Sequence, residues 1–177
     1  VTYGEVEKAS ACAASALEGL GLEPGDRVSV IAQKSLSYLW IYLGCLRGGF
    51  IFHPLNPGYT SRELEFFFNN AGTRVLIFDP TLADTVISAS ANISSIKRRI
   101  ELTATGGGEF EELCRITGAE TYKDRACDFD VPAALLYSSG TTGQPKGIRI
   151  THGALAANAA TLADAWGFSA EDVLVHA

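Results

Sequence analysis

The densest group of side chains able to bind an anion lies in one stretch, residues 137–147. Its sequence, YSSGTTGQPKG, combines three glycines, four Ser or Thr residues and one lysine. Glycines let backbone amides approach an anion closely, and successive amides in such a turn form a concave anion site. Hydroxyl groups and an ammonium group add donors for phosphate oxygens. The stretch therefore predicts a loop that binds the phosphates of a nucleoside triphosphate.

Two other interpretations of residues 137–147 can be compared with the sequence. An ordinary Gly/Ser/Thr-rich surface loop has a similar composition, but the apolar residues Leu135 and Leu136 before it and Ile148 and Ile150 after it place this loop between two strands. The phosphate loop of P-loop NTPases requires G-x-x-x-x-G-K-[ST] and opens a helix. Here Gln144 follows Gly143, and Gly147 follows Lys146. The spacing therefore excludes the NTPase motif.

The elements around the loop alternate between helical and strand patterns. Capping-box sequences at 2–5 and 60–63 predict two helix starts, and Ser35 and Thr151 are further N-cap candidates. Strands are expected at 28–32, 50–55, 75–78, 96–102, 133–137 and 147–150, with helices between most of them and one last helix reaching about Trp166. This alternation predicts an α/β fold, with a layered, largely parallel sheet flanked by helices.

Composition and charge narrow the classes of partner. The 177 residues are 47% hydrophobic and 19% charged, with a net charge of −6, which argues against a nucleic-acid or anionic-membrane surface. The longest apolar run, 36–46, is about half of what a membrane span needs.

The four cysteines have neither CxxC nor metal-ligand spacing, so we expect no metal site of the protein's own and a reducing compartment, the cytoplasm. A mitochondrial matrix location would need a targeting segment ahead of Val1. Because the chain contains no methionine, we expect it to be a piece of a longer protein.

The loop YSSGTTGQPKG resembles the signature loop of the adenylate-forming (AMP-binding) superfamily, which includes the acyl-CoA synthetases. Ser138 stands where that loop usually has threonine, and it keeps the hydroxyl group. The resemblance extends to 2–5, 25–28 and 43–77, which look like the N-terminal part of acyl-CoA synthetases. Two segments, PLNPGYTSRELEFFFNNA and TLADAWGFSAEDVLVHA, are more similar to malonyl-CoA synthetases than to the wider family.

The resemblance implies a partial N-terminal AMP-binding domain over residues 1–177, with the rest of that domain and a C-terminal lid domain absent. It also implies a two-step reaction with ATP, Mg²⁺ that arrives with ATP, a small carboxylate, and coenzyme A as co-substrate. The first step makes an acyl-adenylate, and the second transfers the acyl group to the thiol of coenzyme A. Malonate is the favoured carboxylate. The alternatives are another acyl- or aryl-CoA ligase and a catalytically silent nucleotide-binding module.

The resemblance also assigns roles within the loop. Hydroxyl groups of Ser138, Thr141 and Thr142 and backbone amides of Gly140 and Gly143 are expected to hold the β- and γ-phosphates. Lys146 is the expected catalytic residue, because it stabilises charge as pyrophosphate leaves. The complete set of expected nucleotide-binding residues is Ser138, Ser139, Gly140, Thr141, Thr142, Gly143, Gln144, Pro145 and Lys146. The histidines His53 and His152 are expected to have structural or solvated roles, and the role of His176 is left open.

Overall fold

The computed structural model describes residues 1–105, 108–138 and 145–173. Helices and strands alternate along these residues, as the sequence pattern predicts. The strands are β1 (Arg27–Ile31), β2 (Ile51–Pro54), β3 (Val75–Phe78), β4 (Arg98–Glu101), β5 (Pro132–Ser138) and β6 (Lys146–Thr151). The α-helices are α1 (Tyr3–Gly19), α2 (Leu36–Gly48), α3 (Ser61–Ala71), α4 (Ala83–Ser90), α5 (Glu109–Thr117) and α6 (His152–Trp166), and a 3-10 turn at Pro80–Leu82 precedes α4.

Two helices begin with the capping boxes that the sequence predicts. The Thr2 hydroxyl accepts the Glu5 N–H at 3.2 Å, and the Glu5 carboxylate accepts the Thr2 N–H at 2.7 Å. Thr60 and Glu63 repeat this pair of bonds at the start of α3, at 3.4 Å and 2.8 Å. At its other end α3 stops at Gly72, whose φ of 61° is in the left-handed region that favours glycine. Local sequence signals thus set both ends of α3.

Loss of the cap of α3 gives the first testable expectation. Thr60→Ala removes the hydroxyl that accepts the Glu63 N–H, and such a loss costs about 1 kcal/mol of unfolding free energy. Urea unfolding of the full-length protein measures the change. Thr60→Ser should retain most of the stability because serine caps equally well, and Thr121→Ala, an exposed threonine outside any helix, is the matched control. Equal losses for Thr60→Ala and Thr60→Ser would contradict the role of the cap.

Within the described residues, six strands form one sheet in the order β4-β3-β1-β2-β5-β6. The neighbouring pairs are parallel except for β5 and β6, which are antiparallel. The chain passes from β1 to β2 on one side and then returns across β1 to β3. The predicted α/β fold with a largely parallel sheet is therefore confirmed, and the antiparallel pair stands at one edge.

Each face of the sheet is covered by its own group of helices. Helices α1, α2 and α5 cover one face, in a core that includes Leu17, Ile41, Phe50, Phe52, Ile100 and Phe110. Helices α3 and α4 cover the other, in a core that includes Ile31, Leu64, Phe67, Phe68, Leu76 and Val86. Alternating residues of β1 and β3 enter opposite cores, which is the two-residue period of a strand buried on both faces.

Helix α3 is also fixed to the sheet through Arg27 of β1. The guanidinium of Arg27 donates to the carbonyl oxygens of Ala71 at 2.7 Å and of Gly72 at 2.6 Å. These carbonyls lie at the C-terminus of α3, where the helix has no backbone donors left for them and where positive charge is favourable. These two bonds tie β1 to the C-terminus of α3, the helix that lies beside the end of β5.

Candidate functional site

The predicted anion-binding loop connects the two strands of the β-hairpin. Ser138 ends β5, Lys146 begins β6, and these two residues lie directly opposite each other in the antiparallel pair. The predicted strand–loop–strand arrangement is therefore confirmed at its described ends. The expected ligands Ser139, Gly140, Thr141, Thr142, Gly143 and Gln144 lie outside the described residues.

Lys146 and Ser138 are both open to solvent. Both are exposed, and neither side chain forms a hydrogen bond or an ion pair with another residue that the structure describes. Directly opposite residues of an antiparallel pair project from the same face of the sheet. The hairpin therefore presents one hydroxyl and one uncompensated ammonium group together, which is a suitable pair of donors for a phosphate.

A groove of about 530 Å³ runs beside the base of the loop, a volume typical of small-molecule sites. It is lined by Tyr59, Arg62, Glu63, Phe66, Phe67, Tyr137, Ser138 and Pro145. Hydrogen bonds from Thr60 lower the pKa of the Glu63 carboxyl, so this group stays ionised and serves the helix cap. The guanidinium of Arg62 forms no hydrogen bond or ion pair with another described residue. The groove thus adds aromatic walls and a second cation to the hairpin.

Tyr137, the residue before Ser138, is held in place by contacts with α3 and β2. Its hydroxyl donates to Asn70 Oδ1 of α3 at 2.6 Å. Its ring lies 4.7 Å from the ring of Phe67 and 5.4 Å from that of His53, centroid to centroid. Burial raises the pKa of Tyr137, so the hydroxyl keeps its proton at neutral pH and remains a donor. Tyr137 thereby links the end of β5 to α3, a contact that no local sequence signal reveals.

The link between Tyr137 and Asn70 predicts coupled effects on stability. Tyr137→Phe removes the donor and keeps the ring packing, and we expect a loss of about 1 kcal/mol in the free energy of unfolding. Asn70→Ala removes the acceptor. Because both changes delete the same bond, the double variant should lose less than the sum of the single losses. A double-mutant cycle by urea denaturation measures this coupling, and strictly additive losses would contradict the contact.

A second polar cluster lies buried beneath Tyr137. Ser29 Oγ lies 2.7 Å from His53 Nδ1 and 2.7 Å from Thr73 Oγ1, and all three side chains have no exposed surface. His53 Nε2 has no hydrogen-bond partner among the described residues. Burial lowers the pKa of His53 to about 4, so the imidazole is neutral at pH 7. Strands β1 and β2 bring the pair together, since Ser29 lies opposite His53 in their register.

A serine next to a histidine can form a nucleophile and its general base. A substrate would have to reach the serine, however, and the exposed fraction of Ser29 and of His53 is 0%. The cluster therefore joins strands β1 and β2 to Thr73 inside the core, which is a structural role. His152 at the start of α6 is half-buried, with a pKa lowered by desolvation and with its Nε2 unpaired among the described residues. His176 lies outside the described residues.

Two other kinds of site are not found in the part of the chain that the structure describes. There, no group of three or more His, Cys, Asp or Glu side chains is placed to hold a metal ion. Nor does any helix in these ranges have the length and apolar character that crossing a bilayer requires. The candidate site is thus the hairpin with its adjoining groove.

Comparison with known proteins gives a family match over the whole chain. The family model described as "AMP-binding enzyme" matches residues 1–177. The chain is 31% identical to a 3-methylmercaptopropionyl-CoA ligase of Ruegeria lacuscaerulensis, over 98% of this chain and 34% of the relative. It is 32% identical to 4-coumarate–CoA ligase 3 of Oryza sativa subsp. japonica, over 98% and 32%. The chain spans about a third of the length of these curated relatives.

Solved structures confirm the fold. The crystal structure of ATP-bound MatB from Rhodopseudomonas palustris aligns with a TM-score of 0.91 and 34% identity, over 100% of this chain and 35% of that chain. The N-terminal domain of FACL13 from Mycobacterium tuberculosis, solved with an inhibitor bound, aligns with a TM-score of 0.75 and 25% identity. That alignment covers 86% of this chain and 37% of that chain.

Proposed function

Because the chain belongs to the AMP-binding enzyme family, we propose that its full-length protein uses ATP to activate a carboxylic acid as an acyl-adenylate. The observation that carries this proposal is the β5–β6 hairpin. Exposed Lys146 lies there opposite Ser138 at the ends of a Gly/Ser/Thr-rich loop, and its ammonium group has no hydrogen-bond or ion-pair partner among the described residues. An uncompensated ammonium group beside hydroxyl groups and glycines is suited to bind a triphosphate.

The proposed first step forms a bond between a carboxylate oxygen of the substrate and the α-phosphorus of ATP. The bond from that phosphorus to the oxygen bridging to the β-phosphate breaks, and pyrophosphate leaves. Lys146 stabilises the charge that grows on pyrophosphate, while Ser138 and the loop residues 139–144 hold the β- and γ-phosphates in line. Mg²⁺ that arrives with ATP would neutralise further phosphate charge. In the proposed second step the thiol of coenzyme A attacks the acyl carbon, a thioester forms and AMP leaves.

We propose that residues 1–177 are part of the N-terminal AMP-binding domain of a longer protein. Two findings support this placement: the curated relatives are about three times as long, and an isolated N-terminal domain is among the structural neighbours. The four cysteines are free thiols, which is the usual state in a reducing compartment. We therefore propose the cytoplasm as the location.

Malonate is the carboxylate we propose. Segments 54–71 and 161–177 resemble malonyl-CoA synthetases in sequence, and MatB aligns over the whole chain at 34% identity. The curated relatives carry the names of other acids, since they are described as 3-methylmercaptopropionyl-CoA and 4-coumarate–CoA ligases. The competing proposal is therefore that the protein is another acyl- or aryl-CoA ligase, which acts on a different acid.

A substrate panel in ATP–pyrophosphate exchange separates these proposals. The full-length protein is assayed with malonate, methylmalonate, acetate, octanoate and ferulate, and thioester formation with coenzyme A is measured in parallel. We expect malonate to give the highest kcat/KM. A higher value for another acid would overturn malonate alone. If ATP binds but no acid supports exchange, the protein is a silent nucleotide-binding module and adenylation is overturned.

A further inference from the structure

Two thiols from distant parts of the chain meet where α1 packs against α5. Cys12 of α1 and Cys114 of α5 are both half-buried and free. The Cys12 thiol donates to the backbone carbonyl oxygen of Cys114, with 2.7 Å between sulfur and oxygen. Burial raises the pKa of Cys114 to about 12, and the neighbouring Cys12 thiol contributes to this shift. The Cys12 sulfur therefore lies directly against Cys114.

Both thiols can be reached from outside. They line a cavity of about 800 Å³ between α1, α5 and the start of α2, whose walls also include Lys8, Trp40 and Phe110. Cys45 differs, because its exposed fraction is 0% and it lies within the core. A small solute that enters the cavity can thus contact Cys12 and Cys114 but not Cys45.

We propose that Cys12 and Cys114 form a reversible dithiol–disulfide site whose reactant is a low-molecular-weight disulfide of the glutathione type. The site is separate from the β5–β6 hairpin and does not depend on the proposed nucleotide chemistry. Closing the disulfide fixes α5 to α1, the first helix of the chain. The site is thereby a candidate point of redox control.

The exchange proceeds in two balanced steps. The Cys12 thiolate attacks one sulfur of oxidised glutathione, so that a mixed disulfide forms, the S–S bond of glutathione breaks and one glutathione thiolate leaves. Cys114 then gives its proton to the first glutathione thiolate as its sulfur attacks the Cys12 sulfur. The bond between the two cysteines forms, the bond from Cys12 to glutathione breaks and the second glutathione thiolate leaves. Two protein thiols are oxidised, one glutathione disulfide is reduced to two thiols, and the protons of the protein thiols pass to the leaving thiolates.

The surroundings indicate which thiol reacts first. Burial, the Cys12 thiol and the charge of Glu111 raise the pKa of Cys114, so Cys114 stays protonated at neutral pH. Cys12 is therefore the attacking thiol and Cys114 the resolving one.

Peptide mapping of the full-length protein tests the site. The protein is equilibrated with mixtures of reduced and oxidised glutathione, quenched by alkylation, digested without reductant and analysed by mass spectrometry. We expect a Cys12–Cys114 crosslinked peptide that lacks two hydrogen atoms, disappears with dithiothreitol and leaves Cys45 reduced. Cys114→Ser should accumulate the Cys12–glutathione adduct, Cys12→Ser should form neither product, and Cys127→Ser should behave as the wild type.

Two results would overturn the proposal, and both come from the wild-type protein, so that neither depends on a variant folding. One is an absence of the Cys12–Cys114 peptide at every glutathione ratio. The other is a reaction that stops at glutathione adducts or that links Cys12 to Cys127 instead. Exchange activity with ATP can persist in either case, so failure here is distinguishable from failure of the proposed function.

Discussion

Lys146→Ala in the full-length protein is expected to slow carboxylate-dependent ATP–pyrophosphate exchange by roughly 30- to 1000-fold. This corresponds to about 2–4 kcal/mol in the activation barrier, the usual size of one lost charge-stabilising contact. The physical reason is that Lys146 is exposed and its ammonium group has no partner among the described residues. Its charge is therefore available to the departing pyrophosphate, and its removal leaves that negative charge uncompensated.

Two variants show whether the effect belongs to this position. Lys146→Arg keeps the positive charge and should recover part of the lost rate, although its planar group cannot reproduce the compact ammonium. Lys123→Ala removes an exposed lysine that lies outside the hairpin and its groove, and it should leave exchange unchanged. Exchange at the wild-type rate in Lys146→Ala would refute the assigned role.

The buried imidazole of His53 is expected to make the protein less stable in mild acid. Its pKa is about 4 in the folded protein, against 6.5 for an ordinary histidine. The unfolded chain therefore binds more protons than the folded chain between these values, and stability must fall as pH decreases through this window. Above pH 6.5 the full contribution of His53 to the free energy of unfolding is present. Below pH 6.5 the free energy of unfolding decreases by about 1.4 kcal/mol per pH unit, and the total loss is about 3 kcal/mol.

Urea unfolding between pH 4 and pH 7 measures this dependence. His53→Asn is the matched variant, because an amide side chain can still accept or donate a bond at Ser29 but does not titrate. Carboxylates contribute to the pH dependence of both proteins, so the difference between the two curves isolates His53. Parallel curves would show that His53 is not held neutral by burial.

The local elements could be predicted because their signals are local. Thr60 and Glu63 are three residues apart and form the expected capping box, and the apolar run 75–78 becomes strand β3 with the same bounds. The apolar flanks of the loop likewise predict the hairpin in which Ser138 meets Lys146. Of the nine expected nucleotide-binding residues, Ser138, Pro145 and Lys146 lie in the described part of the chain. The roles of all nine stay predictions.

The contacts around the loop could not be predicted, because they depend on the order of the strands. Asn70 and Tyr137 are 67 residues apart in sequence and meet only because α3 packs beside the end of β5. Ser29 meets His53 and Thr73 across separations of 24 and 44 residues, through the parallel pairing of β1 with β2 and β3. No spacing rule in the sequence links such residues. Packing of complete elements brings them together.

The most direct test of the proposed site is a crystal structure of the full-length protein with a non-hydrolysable ATP analogue and Mg²⁺. We predict that the β- and γ-phosphate oxygens accept hydrogen bonds from Ser138, from the loop residues 139–144 and from the ammonium group of Lys146. An analogue bound elsewhere, with residues 138–146 making no contact to its phosphates, would contradict the assignment.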